Sequence, residues 1–100
     1  MKDIIVIGAG GHSRPAIATI ILLKKWVFKG IIDLEYQNQN EVILGRNVIG
    51  SINKLSNFNP KKTDIFLAIG DIDLRMKTYK NPLLKEFNFP NLMFFNDPYT

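Results

Sequence analysis

Ile4-Ile5-Val6-Ile7-Gly8-Ala9-Gly10-Gly11-His12-Ser13-Arg14 opens the 100-residue chain. Four consecutive β-branched apolar residues predict a strand buried on both faces, because a half-buried strand would alternate with polar residues. The strand stops at a glycine cluster, and an apolar run from Ala16 to Lys25 predicts a helix. Ser13 is the expected N-cap, and Pro15 then falls in the first turn, where its missing N–H costs little. A buried strand that turns through glycines into a helix aims backbone N–H groups at one point. Such a turn can face a phosphate.

Working outward, Trp26 to Asp33 predicts a second strand, and Gln37-Asn38-Gln39-Asn40 reads as a loop without periodicity. Val42 to Leu44 and Val48-Ile49 are short extended pieces around Gly45 and Gly50. Ser51 is placed to cap a short helix ending near Asn57. Asp64 to Ile69 predicts a third buried strand that ends at Gly70-Asp71. A helix follows from Leu74 to Phe87, kinked or split by Pro82, and Asn91 to Phe95 predicts a last strand. The order favours an α/β fold, a small Rossmann-like three-layer domain with a mostly parallel sheet. Residues 1–100 form a single domain.

Composition narrows the function classes. Thirteen basic residues against nine acidic ones leave a net charge of +4. They are spread along the chain, with doublets only at Lys24-Lys25 and Lys61-Lys62, so nucleic acid is not the expected partner. The absence of cysteine excludes disulfides and thiolate metal sites, and a single histidine argues against zinc. The apolar run Ala16–Leu23 is too short to span a bilayer, and the N-terminus lacks a secretory pattern. No membrane partner is expected, and a cytoplasmic location is the default.

The glycine turn keeps the first two positions of the dinucleotide pattern Gly-x-Gly-x-x-Gly and places Ser13 at the third. Asp33, ending the second strand, stands where an acid would meet a ribose hydroxyl. His12 can donate to a phosphate oxygen, and Arg14 in the first helical turn can reach one. Gly8 to Ser13, Asp33 and Gly70-Asp71 all fall at the carboxyl ends of strands, the edge where open α/β sheets bind ligands. No nucleophile elbow or Walker lysine motif is present, and no residue is assigned as catalytic or metal-ligating. Whether His12 and Asp33 form an acid–base pair is not decided by the sequence. A nucleotide-sugar site, an NAD(P)-type dinucleotide site and a non-catalytic interaction module on the same fold all remain open.

Five segments in order carry a family resemblance: Ile7-Gly8-Ala9-Gly10-Gly11-His12; Gly30-Ile31-Ile32-Asp33; Ile43-Leu44-Gly45 with Val48-Ile49-Gly50-Ser51-Ile52; Ala68-Ile69-Gly70-Asp71 with Arg75; and Phe89-Pro90-Asn91-Leu92. The chain resembles the N-terminal domain of bacterial sugar acetyltransferases of the PglD/NeuD type, which include proteins like sialic acid O-acetyltransferase. The resemblance implies a Rossmann-like unit that binds a nucleotide sugar, commonly a UDP-linked amino sugar, in bacterial surface glycan synthesis. It implies that Gly8, Gly10, Gly11, His12, Asp33, Gly70 and Asp71 lie against that substrate, and Ser13 and Arg14 complete the expected set.

In that family a β-helix of hexapeptide repeats follows, forms a homotrimer, binds acetyl-CoA and supplies the catalytic histidine. No such repeat lies in these residues, so the domain is expected to bind no cofactor and to be inactive alone. It would be part of a longer enzyme or a free-standing binding unit. Two positions depart from the family: Leu34 stands where a second acid is usual, with Glu35 one place later, and Met93 to Pro98 lacks the usual His-Pro.

Overall fold

The structure, a computed structural model, describes residues 1–90. The expected strand over Asn91–Phe95 lies outside these residues. The elements are β1 (Lys2–Ile7), α1 (Ser13–Leu23), β2 (Trp26–Ile32), β3 (Val42–Ile43), β4 (Arg46–Gly50), a 3-10 helix (Ile52–Asn57), β5 (Thr63–Leu67), α2 (Ile72–Tyr79) and a 3-10 turn (Pro82–Leu84). The sheet runs β3-β4-β2-β1-β5. β1 pairs in parallel with β2 and β5, β2 pairs in parallel with β4, and the β3–β4 ribbon is antiparallel.

β1 lies inside the sheet between β2 and β5 and is covered on both faces, which is why Ile4, Ile5, Val6 and Ile7 are all inaccessible to solvent. Alternate side chains feed opposite layers. Ile4 and Val6 pack with Ala16, Ile17 and Ile20 of α1. Ile5 and Ile7 pack with Leu55, Leu84 and Phe87 from the two 3-10 segments and the chain beyond. This is the expected three-layer α/β domain.

Several local expectations differ from the structure. Ser13 is not the N-cap of α1: His12 occupies that position, and Ser13 is the first helical residue. Its hydroxyl instead donates back to the Gly10 carbonyl at 2.6 Å, beside the Ser13 N–H bond to the same oxygen. α1 reads as apolar on all sides, yet its buried residues Ser13, Ala16, Ile17 and Ile20 fall on one face, and Leu22 is 79% exposed. Ser51 precedes a 3-10 helix and makes no side-chain cap. Pro82 splits the last helical span as expected, with Asn81 accepting from the Leu83 N–H.

The end of the sheet opposite the glycine turn is tied by Asp64, which is 4% exposed. It accepts hydrogen bonds from Trp26 Nε1 at 2.9 Å and Asn88 Nδ2 at 3.2 Å, and pairs with Lys2 Nζ at 2.6 Å. Burial alone would push this carboxyl up. The hydrogen bonds from Lys2, Trp26 and Asn88 outweigh that effect and hold it below its ordinary value of 3.8. A carboxylate depressed in the folded state stabilises above its unfolded pKa, and that stability disappears as pH falls through the folded value. Asp64→Asn is therefore expected to flatten the acid limb of a stability-against-pH curve below about pH 4. Asp64→Ala, which removes the shared acceptor of Lys2, the half-buried Trp26 indole and Asn88, is expected to cost about 3 kcal/mol at pH 7 in urea titrations.

Candidate functional site

The chain leaves β1 for β2 on one side and reaches β5 on the other, so the direction of winding reverses beside β1. In open α/β sheets a crevice forms at such a reversal, outside the carboxyl ends of the strands. Here it is a cleft of about 520 Å³, within the range of small-molecule sites. Its walls come from the glycine turn at residues 8–12, from Asp33, Leu34, Glu35 and Glu41 after β2, and from residues 68–71 with Leu74 after β5.

The turn is built from the strand upward. The Gly8 N–H donates to the Ile32 carbonyl at 2.8 Å, and the Ala68 N–H donates to the Ile7 carbonyl at 2.8 Å, so both neighbours grip the end of β1. Past Gly8 the backbone turns free. Among the described residues, the amides of Ala9, Gly10, Gly11 and His12 have no protein acceptor. Four consecutive N–H groups at the mouth of a helix make a natural anion cradle. Side chains built at Gly10 or Gly11 would meet no atom within 4 Å, so the space over this cradle is open.

Asp33 is half-buried on the facing wall. Its Oδ1 accepts from the Glu35 N–H at 3.0 Å and its Oδ2 from Gln39 Nε2 at 2.9 Å. The His12 ring lies instead against Gly70, where any Cβ would strike it. Asp33 and His12 therefore share the cleft without forming an acid–base pair. Asp71 caps α2 by accepting from the Leu74 N–H at 3.0 Å, and it too faces the cleft.

Seven of the nine expected site residues thus meet in one cleft: Gly8, Gly10, Gly11, His12, Asp33, Gly70 and Asp71. Ser13 and Arg14 do not line it. Ser13 is fully buried beneath the turn it braces, and Arg14 turns out to solvent on α1. Glu41 and Leu74 enter the wall without having been singled out from sequence, and Leu34 and Glu35, noted there only as departures from the family pattern, line it too. Glu41 leads into the β3–β4 ribbon, and the only sequence signal for it was a carboxylate bordering a short extended piece. Among the described residues the cleft carries the carboxylates Asp33, Glu35, Glu41 and Asp71 and no lysine or arginine.

The fold has clear relatives among solved structures. The acetyltransferase domain of PglB from Neisseria gonorrhoeae FA1090, in complex with acetyl coenzyme A, is 29% identical with a TM-score of 0.69 over 86% of this chain. A second structure of that domain gives 27% identity and a TM-score of 0.71 over 90% of the chain. A mutant perosamine N-acetyltransferase from Caulobacter crescentus, in complex with CoA and GDP-perosamine, is 24% identical with a TM-score of 0.70 over 88%, a likeness of fold alone. The chain spans 40% of the first of these structures, 43% of the second and 40% of the third. No curated protein matches the chain. The sequence profile of the PglD N-terminal domain matches residues 3–81, and the chain belongs to that family, the N-terminal domains of sugar acetyltransferases.

Proposed function

We propose that this domain holds the nucleotide-sugar substrate of a sugar O- or N-acetyltransferase acting in the cytoplasm in bacterial surface glycan synthesis. The observation that carries the reading is the two-sided chemistry of the cleft. One wall offers four amides at Ala9–His12 that have no acceptor among the described residues, and the other offers carboxylates at Asp33, Glu35, Glu41 and Asp71. Amides at a helix mouth suit a diphosphate, whose charge no basic side chain of the cleft would meet. Carboxylates accept only, so they suit ribose and sugar hydroxyls and the N–H groups of a base. A nucleotide sugar carries both halves.

Family membership supports the same assignment, as does the GDP-perosamine bound by the Caulobacter enzyme of this fold. On this reading acetyl-CoA, the catalytic histidine and trimer formation belong to a hexapeptide-repeat domain. The residues here bind and orient the acceptor and do not transfer the acetyl group. No described helix is long and apolar enough to cross a membrane.

Calorimetry of the folded domain with UDP- and GDP-linked amino sugars tests the reading. Saturable heat with a Kd at or below about 1 mM is expected, and the free sugar should give none. A folded sample that shows no heat with any nucleotide sugar at millimolar concentration would overturn it.

A further inference from the structure

The polar run Gln37-Asn38-Gln39-Asn40, featureless in sequence, is organised around one side chain. Gln39 Nε2 donates to Asp33 Oδ2 at 2.9 Å, while Gln39 Oε1 accepts from the Gln37 N–H at 2.8 Å. The chemistry fixes which way the amide points, since a carboxylate can only accept and a backbone N–H can only donate. Asn38, between the two glutamines, adopts φ 60°, a left-handed turn that asparagine tolerates. That turn carries Gln39 back over the loop.

The loop is held at three further points. The Asp33 N–H donates to the Gly50 carbonyl at 3.0 Å, the Tyr36 N–H donates to the Asp33 carbonyl at 3.1 Å, and the Tyr36 ring packs against the core beneath α1. With Asp33 Oδ1 taken by the Glu35 N–H, the bond from Gln39 completes the grip on this carboxylate. Glu35 and Glu41, which line the cleft, flank the clasped segment on either side.

We infer that Gln39 is a positioning residue for ligand recognition: it fixes the rotamer of Asp33 and the course of the loop that forms the carboxylate wall. It does not line the cleft itself. The inference rests on the nucleotide-sugar reading for its ligand, and on the clasp geometry for everything else. Without the clasp, loop and carboxylate would have to be ordered when the ligand binds, and affinity falls by that ordering cost.

Amide hydrogen exchange and calorimetry on Gln39→Ala and Gln39→Glu test it together. In Gln39→Ala the Gln37 amide should exchange about tenfold faster, and a nucleotide sugar should bind about tenfold more weakly, the equivalent of one hydrogen bond to a charged group. Gln39→Glu keeps the shape but sets a second carboxylate against Asp33. Its affinity should fall further at pH 8 and recover towards pH 5, where one proton shared by the pair restores an O–H···O bond. Taking the ratio of variant to wild-type affinity at each pH removes the titration of His12, Glu35, Glu41 and Asp71, which share the cleft. Unchanged exchange at Gln37 would show that there is no clasp and overturn the inference. Faster exchange with unchanged affinity, or a flat pH ratio for Gln39→Glu, would overturn the positioning role. A wild-type domain that binds no nucleotide sugar while Gln37 still responds would locate the failure in the functional reading, and the positioning role would fall with it.

Discussion

Gly8→Ala is expected to lower the stability of the domain by about 3 kcal/mol or more, the sum of a forbidden backbone conformation and a steric clash. Gly8 has φ +123°, a region closed to residues with a Cβ, and a Cβ placed there would run into the Ala68 carbonyl. Neither the strain nor the clash can relax cheaply. The Gly8 N–H is bonded to Ile32 on β2, and the next residue on the other side, Ala68, donates to Ile7. Moving Gly8 away from Ala68 therefore pulls the end of β1 out of register with one neighbour or the other. A domain of this size has a stability of only about 5–15 kcal/mol, and its melting temperature should fall by about 12 °C or more. Thermal and urea melts of the variant check this. A melting temperature within about 2 °C of wild type would mean that the strand end is not gripped as described.

The different legibility of these residues has a physical basis. β1 and its glycine turn were readable because burial on both faces and a sharp exit leave local marks: an unbroken β-branched run and then glycines. The convergence of Asp33 and Gly70-Asp71 on the turn was readable because parallel strands place their carboxyl ends at one edge. Pro82 announced the split in the last helical span through its own missing N–H. The role of Ser13 was misread because capping and back-bonding use the same hydroxyl. Which one occurs depends on whether the helix starts at residue 13 or 14, and boundaries are set by tertiary packing. The exposure of Leu22 is not legible in α1, whose apolar pattern runs nearly all round, because burial depends on what covers each face. Gln39 and Glu41 were hidden for a different reason. Each acts through a loop whose path is set by Asn38, Tyr36 and the β3–β4 ribbon together, and no periodicity encodes that path.

Gly10→Val separates binding from folding at a position two residues from Gly8. The backbone of Gly10 lies outside the left-handed region, and a Cβ there meets nothing within 4 Å. The fold does not need glycine at this position. Valine should therefore leave the melting temperature within about 3 °C of wild type, helped slightly by the reduced freedom of the unfolded chain. The space it would fill is the cleft itself, over the amides of Ala9 to His12. If those amides hold a diphosphate, two branched methyl groups would exclude it from at least two hydrogen bonds to charged oxygens, worth about 3 kcal/mol together. That corresponds to an affinity for nucleotide sugar about a hundredfold below wild type. Calorimetry beside a thermal melt reads both quantities from one preparation. Undiminished affinity in a folded Gly10→Val domain would place the phosphate elsewhere and remove the cradle from the site. Loss of affinity with the melt unchanged would mean that the glycine at position 10 serves the ligand, whereas the glycine at position 8 serves the chain.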